Sequence, residues 1–498
     1  MLNKRGCGIL LHPTSLPGPG GIGSLGDDAR RFVDLLQATG MSFWQVLPLS
    51  PPGYGNSPYS SLSAFACNPL LIDLEQLVAE GDLPAIGNTR GYPCQRVDFG
   101  QVIPDKLRLL HQAATTFFSQ PASQRRDEFE QFCHSSAWLE DYTLFMAIKQ
   151  HQQGAPWNCW PAELAKPTPA TRARCTRELA AEIDQQRYLQ WQAFRQWHAL
   201  RQYANQRGIA IIGDIPIFVA YDSADVWSRR ELFLLDTDGN PTVVAGVPPD
   251  YFCATGQLWG NPLYRWELLE QQGYQWWIER CRVLLELFDL VRVDHFRGFE
   301  AAWHIPANAT TAVDGAWVTG PGERLFDALQ AALGELPIIA EDLGVITPAV
   351  LALRDRYRFP GMKILQFAFD AAIDDQDLPH NHEKRGVVYT GTHDNDTTKG
   401  WYTSRSGAER EEMHAYLGTS GEDGVGDLLR AALMSVADMA IIPLQDLLRL
   451  DSEARMNIPG TPSGNWEWRF TWEMIPPDLV ETLRQQLGRY GRIQRGAP

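Results

Sequence analysis

Apolar residues fall along this chain in two alternating patterns. Short apolar runs, mostly β-branched, recur at 7–12, 42–48, 209–214, 290–294, 336–341, 362–367, 386–390 and 439–444. Between most of them apolar residues return every three or four positions, over 27–40, 276–288, 324–333, 347–356 and 425–437. A short continuous run fits a strand buried on both faces, and a 3.6-residue period fits a helix with one face covered. Gly40 closes the first helical stretch as a stop signal. Strands alternating with helices predict a parallel sheet. Eight repeats predict a closed (β/α)8 barrel of the TIM type, with an open doubly wound sheet as the alternative.

The spacing of the runs is uneven. Residues 49–208 separate the second and third strands and carry helical patterns at 131–150 and 180–205. That is too long for a plain loop, so an inserted, mostly helical subdomain is expected over about 52–205. A second insertion is expected over about 220–275. The whole chain, 1–498, reads as one catalytic domain. The stretch after the eighth strand is too short for a C-terminal β-sandwich domain.

Three carboxylates end three of the apolar runs. Asp294 closes Leu290-Val-Arg-Val-Asp294, Glu341 closes Leu336-Pro-Ile-Ile-Ala-Glu341, and Asp394 follows the run that leads into Gly391-Thr-His-Asp394. An acid at a strand end stands on one rim of the sheet, and in a (β/α)8 barrel that rim is the catalytic face. Glycosidic chemistry uses two carboxyl groups about one bond, one ionised and one protonated. Arg292 lies two residues before Asp294 and points to the same side, where its guanidinium favours the ionised form. A plain Arg–Asp ion pair is the bland reading of that pair. Glu341 has an apolar approach that should raise its pKa and suit it to donate a proton. A capping or ion-paired Glu is its bland reading. Asp394 and His393 could equally belong to a turn rich in capping residues.

Composition narrows the substrate. The 498 residues carry a net charge of −16, a surface that repels nucleic acid and anionic membranes but leaves a neutral substrate free to bind. The 17 Trp and 15 Tyr include aromatics set among Gly and Pro at 52–59, 246–252 and 256–264. Such loops can stack on the C–H face of a sugar or simply anchor themselves. The eight cysteines show no metal-type or disulfide spacing, so free thiols in a reducing, cytoplasmic compartment are expected. No apolar stretch is long enough to span a membrane. Gly18, Gly20 and Gly23 spell G-x-G-x-x-G, but Pro19 interrupts it and no helix starts there, so no dinucleotide cofactor is expected. His380 and His382 lack a third ligand, and the acidic cluster 374–377 has no glycine turn, so no metal is expected.

Taken in order, the longer motifs resemble the amylomaltases, also called 4-α-glucanotransferases or disproportionating enzymes. They are Leu11-His-Pro-Thr-Ser-Leu-Pro17, Gly213-Asp-Ile-Pro-Ile-Phe-Val219, Val293-Asp-His-Phe-Arg-Gly298, Ala340-Glu-Asp-Leu-Gly344, Gly391-Thr-His-Asp-Asn-Asp-Thr397 and Asn457-Ile-Pro-Gly-Thr-Pro-Ser-Gly-Asn-Trp466. The resemblance implies a barrel with inserted subdomains that acts on α-1,4-glucans by retaining transfer. It implies Asp294 as nucleophile, Glu341 as acid/base and Asp394 as the third acid. It places Asp214, Arg292, His295 and His393 around the sugar next to the cut, and Tyr59, Asp250, Trp259 and Asn465 against neighbouring glucose units. Phe99 stands where the family often has Tyr, and is left out of the site. The same carboxylates would serve a hydrolase, and a catalytically silent glucan-binding protein is a third reading.

Overall fold

The computed structural model describes residues 5–87, 91–249, 254–369 and 375–493. In chain order its strands are β1 (Gly6–Leu10), β2 (Phe43–Gln45), β3 (Ala210–Pro216), β4 (Val243–Val247), β5 (Gln257–Pro262), β6 (Leu290–Asp294), β7 (Ala301–Pro306), β8 (Ala316–Thr319), β9 (Ile338–Ala340), β10 (Gly361–Ile364), β11 (Gly386–Tyr389) and β12 (Met439–Pro443). Each apolar run supplies one strand to a single sheet, ordered β10-β11-β12-β1-β2-β3-β6-β9, and all its pairings are parallel. The two end strands meet. The Ala340 N–H donates to the Pro360 carbonyl at 2.9 Å, and the Met362 N–H donates to Asp342 Oδ1 at 2.7 Å. The sheet is therefore a closed barrel, not an open doubly wound sheet. β1, β11 and β12 are buried at every residue, which is why their sequences are apolar without alternation.

The chain between β2 and β3 is a helical subdomain, with helices Phe99–Ser119, Gln124–Ser135, Leu139–His151, Pro169–Glu178 and Ala180–Gln206. The expected helix over 131–150 is broken. One helix ends at Ser135 and the next begins at Leu139, with Ser136 outside helical geometry. Serine competes for backbone hydrogen bonds and favours such ends. The break seats Trp138 against Phe65 and Phe194, ring centroids 6.2 and 5.6 Å away. Helix Ala180–Gln206 then clips the segment that follows Tyr59. Gln190 accepts from the Cys67 N–H at 2.8 Å and donates to its carbonyl at 2.9 Å, and Gln196 accepts from the Asp73 N–H at 2.7 Å.

A second sheet is antiparallel, ordered β5-β4-β7-β8. β4 and β5 lie within the second insertion; β7 and β8 follow the end of β6. Sequence patterning did not reveal it. β8 is exposed at every residue and β5 at its first four, and each is too short to show a buried run or a regular alternation.

Candidate active site

Strand register brings the charged residues together. β3 and β6 pair with Asp214 opposite Arg292 and Pro216 opposite Asp294. β6 pairs with β9 so that Val293 faces Ala340, and Glu341, the next residue, comes level with Asp294 on the same rim. Arg292, 4% exposed, ties the cluster. Its Nη1 donates to both oxygens of Asp214 at 2.8 and 2.7 Å, and its Nη2 donates to Asp294 Oδ1 at 2.8 Å. Burial pushes Asp214 up to about 6, against the pull of Arg292. Burial also works against the Arg292 charge, but Asp214 and Asp294 outweigh it and hold Arg292 well above its usual range. The pair is thus ionised at neutral pH. Asp294 keeps a third of its side-chain surface open, while Asp214 is fully closed off.

Glu341 accepts two backbone hydrogen bonds, from the His295 N–H at 2.6 Å and the Leu343 N–H at 2.9 Å. The first needs an unusual backbone. His295 sits in the left-handed region at φ 55°, uncommon for a residue with a side chain, and that turn aims its N–H at the carboxyl. These bonds favour the ionised form, yet burial first and the Asp294 charge second push Glu341 up to about 8. Glu341 is therefore protonated at neutral pH.

His393 and Asp394 form the far wall. His393 Nε2 lies 3.4 Å from Asp394 Oδ2. Burial opposes the Asp394 charge, but His393 and the Asn457 amide, which donates to Oδ1 at 2.6 Å, hold it down at about 2. Burial likewise opposes a charge on His393, and Asp394 outweighs it, so His393 is raised. Tyr59 stacks on His393, ring centroids 4.9 Å apart and planes within 14°. Its hydroxyl donates to Asp214 Oδ2 at 2.8 Å. Tyr59 therefore stands inside the charged cluster.

The remaining expected residues divide. Trp259, on β5, meets His295 edge to face at 4.7 Å and remains 38% exposed. His295 Nε2 is buried with no protein partner, and burial lowers the ring to about 4, leaving a neutral imidazole. Asn465 spends its amide within its own loop: Oδ1 accepts from the Ile458 N–H at 2.9 Å, and Nδ2 donates to Thr461 O and Oγ1 at 3.0 and 2.9 Å. It shapes the loop whose next residue, Trp466, packs against Tyr59 and His393, each at 5.9 Å. Asp250 lies outside the described residues. Phe99 is buried at the start of its helix, a core position. His382 bonds Ser435 at 2.7 Å and His380 bonds Tyr416 at 2.7 Å, both apart from the carboxylates.

Sequence reading missed four contributors. Asn457 and the backbone donors of His295 and Leu343 act through geometry that no residue type announces. Trp466 was quoted as the end of a motif, but its positive φ of 64° and its place behind Tyr59 follow only from the folded loop. Among the described residues no group of three or more His, Cys, Asp or Glu is arranged to hold a metal ion. A small recess beside His393 is lined also by His12, Asp396, Arg455 and Met456. Neither Asp294 nor Glu341 borders it.

Comparison with known proteins adds an independent line. A family model described as 4-alpha-glucanotransferase matches residues 11–474. The 4-alpha-glucanotransferase of Thermus thermophilus is 52% identical over 489 residues, 96% of this chain and 97% of that protein. The enzyme of the same name from Synechocystis is 50% identical over 99% of both chains. Among solved structures, the amylomaltase of Streptococcus agalactiae in complex with acarbose superposes with a TM-score of 0.95 at 37% identity, over 98% of this chain and all of that one.

Proposed function

This chain belongs to the 4-alpha-glucanotransferase family and is an enzyme that transfers segments of α-1,4-glucans, and we propose that Asp294, Glu341 and Asp394 carry the transfer. The observation that carries this assignment is the contrast in partners between two neighbours on one rim. Asp294 is bound by Arg292, while Glu341 is held protonated by burial and by Asp294 itself. That is the division a retaining mechanism uses.

Asp294 attacks the anomeric carbon as Glu341 gives its proton to the departing glycosidic oxygen. The bond to the leaving sugar breaks, and an ester between Asp294 and the donor segment forms. Glu341, now ionised, takes the proton of the acceptor 4-hydroxyl, whose oxygen displaces Asp294 and restores both groups. Asp394, ionised and set by His393 and Asn457, holds hydroxyls of the distorted sugar and faces the positive charge that develops on its ring. Tyr59, Asp214, His295 and His393 line the sugar at the cut. Trp259 serves the next unit and Asn465 acts by shaping its loop. Asp250 is assigned to substrate by resemblance alone.

Donor and acceptor are maltooligosaccharides or fragments of larger α-1,4-glucans, and no cofactor enters the scheme. Among the described residues no helix is long and apolar enough to cross a membrane. Seven cysteines there are free thiols, which supports a reducing, cytoplasmic setting. Incubation with maltotriose tests the activity. A ladder of longer glucans together with glucose is expected; short sugars alone would mean hydrolysis, and no change would mean binding only.

A further inference from the structure

Two tryptophans outside the barrel each rest on a residue that follows the nucleophile strand. Trp259, on one edge of the antiparallel sheet, meets His295 at 4.7 Å. Trp317, on β8 at the opposite edge, lies over the Arg297 guanidinium at 3.6 Å. Arg297 is 5% exposed, while Trp317 is 38% exposed, so the cation covers part of the indole and solvent reaches the rest. Arg297 Nη1 also donates to the Val345 carbonyl. Val345 is 53% exposed and lies in the loop that begins at Glu341. Trp317 also meets Trp303, its cross-strand partner on β7, edge to face with ring centroids 5.2 Å apart, so the indole is held by Trp303 and, on one face, by Arg297; the exposed Val345 follows on the loop that Arg297 ties down, and together they make an apolar shelf.

Its position gives it a direction. Glu341 serves the side of the reacting bond where the leaving sugar departs and the acceptor arrives. The shelf is built on the Glu341 loop through Val345, so it lies on that side. β5 and β8 are three strand spacings apart, about 14 Å at roughly 4.8 Å each, a length that several glucosyl units cover. A guanidinium held against one face of an indole fixes the ring in place. A fixed, half-open ring is what a sugar's C–H face stacks on. His295 and Arg297, two residues apart, tie Trp317 to the same turn that Trp259 rests on.

We propose that Trp317 and Val345 form an outlying platform for the acceptor glucan, several units from the new bond, and so set a preference for long acceptors. This rests on the transfer reading above. The test uses α-maltosyl fluoride as a fixed donor, with glucose or maltoheptaose as acceptor, and reads the ratio of kcat/KM for maltoheptaose to that for glucose. Trp317→Ala should lower this ratio about tenfold, the size of one aromatic contact. Trp317→Phe should recover most of it. Val345→Ser, a change at an exposed side chain, should lower it about threefold. Trp317→Ala decides the matter if it melts within a few degrees of the parent; otherwise Val345→Ser decides. A ratio within twofold of the parent's in the deciding variant overturns the platform. A parent enzyme that transfers to neither acceptor would instead overturn the transfer reading.

Discussion

Arg292 donates Nη2 to Oδ1 of Asp294 across 2.8 Å, from two residues back on the same strand. The same guanidinium holds Asp214 with its other nitrogen, so changing Asp294 and changing Arg292 have different consequences. Asp294→Asn should cut turnover of maltotriose by about 10³-fold or more and leave the melting temperature within a few degrees, because a part-open rim residue packs little core. Arg292→Met should also cost stability, about 3–5 kcal/mol, because it strands the fully buried Asp214 charge. Urea unfolding of the two variants checks the contrast. An Arg292→Met protein as stable as Asp294→Asn would refute the buried-pair account.

Glu341 gives the pH dependence its upper limit. Its carboxyl is raised from 4.5 to about 8, first by burial and then by Asp294, so kcat/KM should fall as pH rises through about 8. The same shift has a sign for stability. The folded state holds this proton more tightly than the unfolded chain, so the site destabilises the fold progressively as pH rises from 4.5 towards 8. Glu341→Gln should therefore lose the upper limb and melt higher than the parent at pH 8, with the gap closing near pH 4. A gap of equal size at both pH values would show that Glu341 is not held protonated.

His393 and Asp394 support each other through opposite shifts. Asp394 is depressed to about 2 by His393 and Asn457 against burial, so its contribution is present above 3.8 and is lost as pH falls towards 2. His393 is raised by Asp394 against burial, so its contribution is present below 6.5 and is lost as pH rises through its folded value. The parent should out-melt His393→Asn most between about pH 4 and 6.5. Melts across pH 2–9 test this, and a flat difference would mean the pair is a packing contact only.

The aspartates of the site have partners within the protein, Arg292 for Asp214 and Asp294 and His393 for Asp394. Thorough chelation with EDTA should leave both the transfer rate and the melting temperature unchanged. A loss of either that added calcium restores would require a ligand set assembled from distant loops.

Much of the barrel was legible because its strands are buried on both faces and so write themselves as apolar runs; β6 matched its run residue for residue. Asp294 and Glu341 were legible for the same reason, as acids ending such runs. The antiparallel sheet was not, since its outer strands are exposed. The break at Ser136 was hidden within a continuous helical pattern. Distance hid the rest. Asn457 reaches Asp394 from 63 positions away, and Tyr59 reaches Asp214 from 155, so neither role has a local signature. The amide of Asn465 matched a sugar contact by motif, whereas its hydrogen bonds turn inward on its own loop.

The central claim is that Asp294 forms the covalent bond to the donor. The Glu341→Gln variant should still accept a glycosyl group from α-maltosyl fluoride, whose leaving group needs no proton, and then stall without an acid/base to activate the acceptor. Acid quenching, proteolysis and mass spectrometry would locate the label. The account predicts one maltosyl group on the peptide containing Asp294, at that residue. A label on Asp214 or Asp394, or no label while fluoride is released, would contradict it.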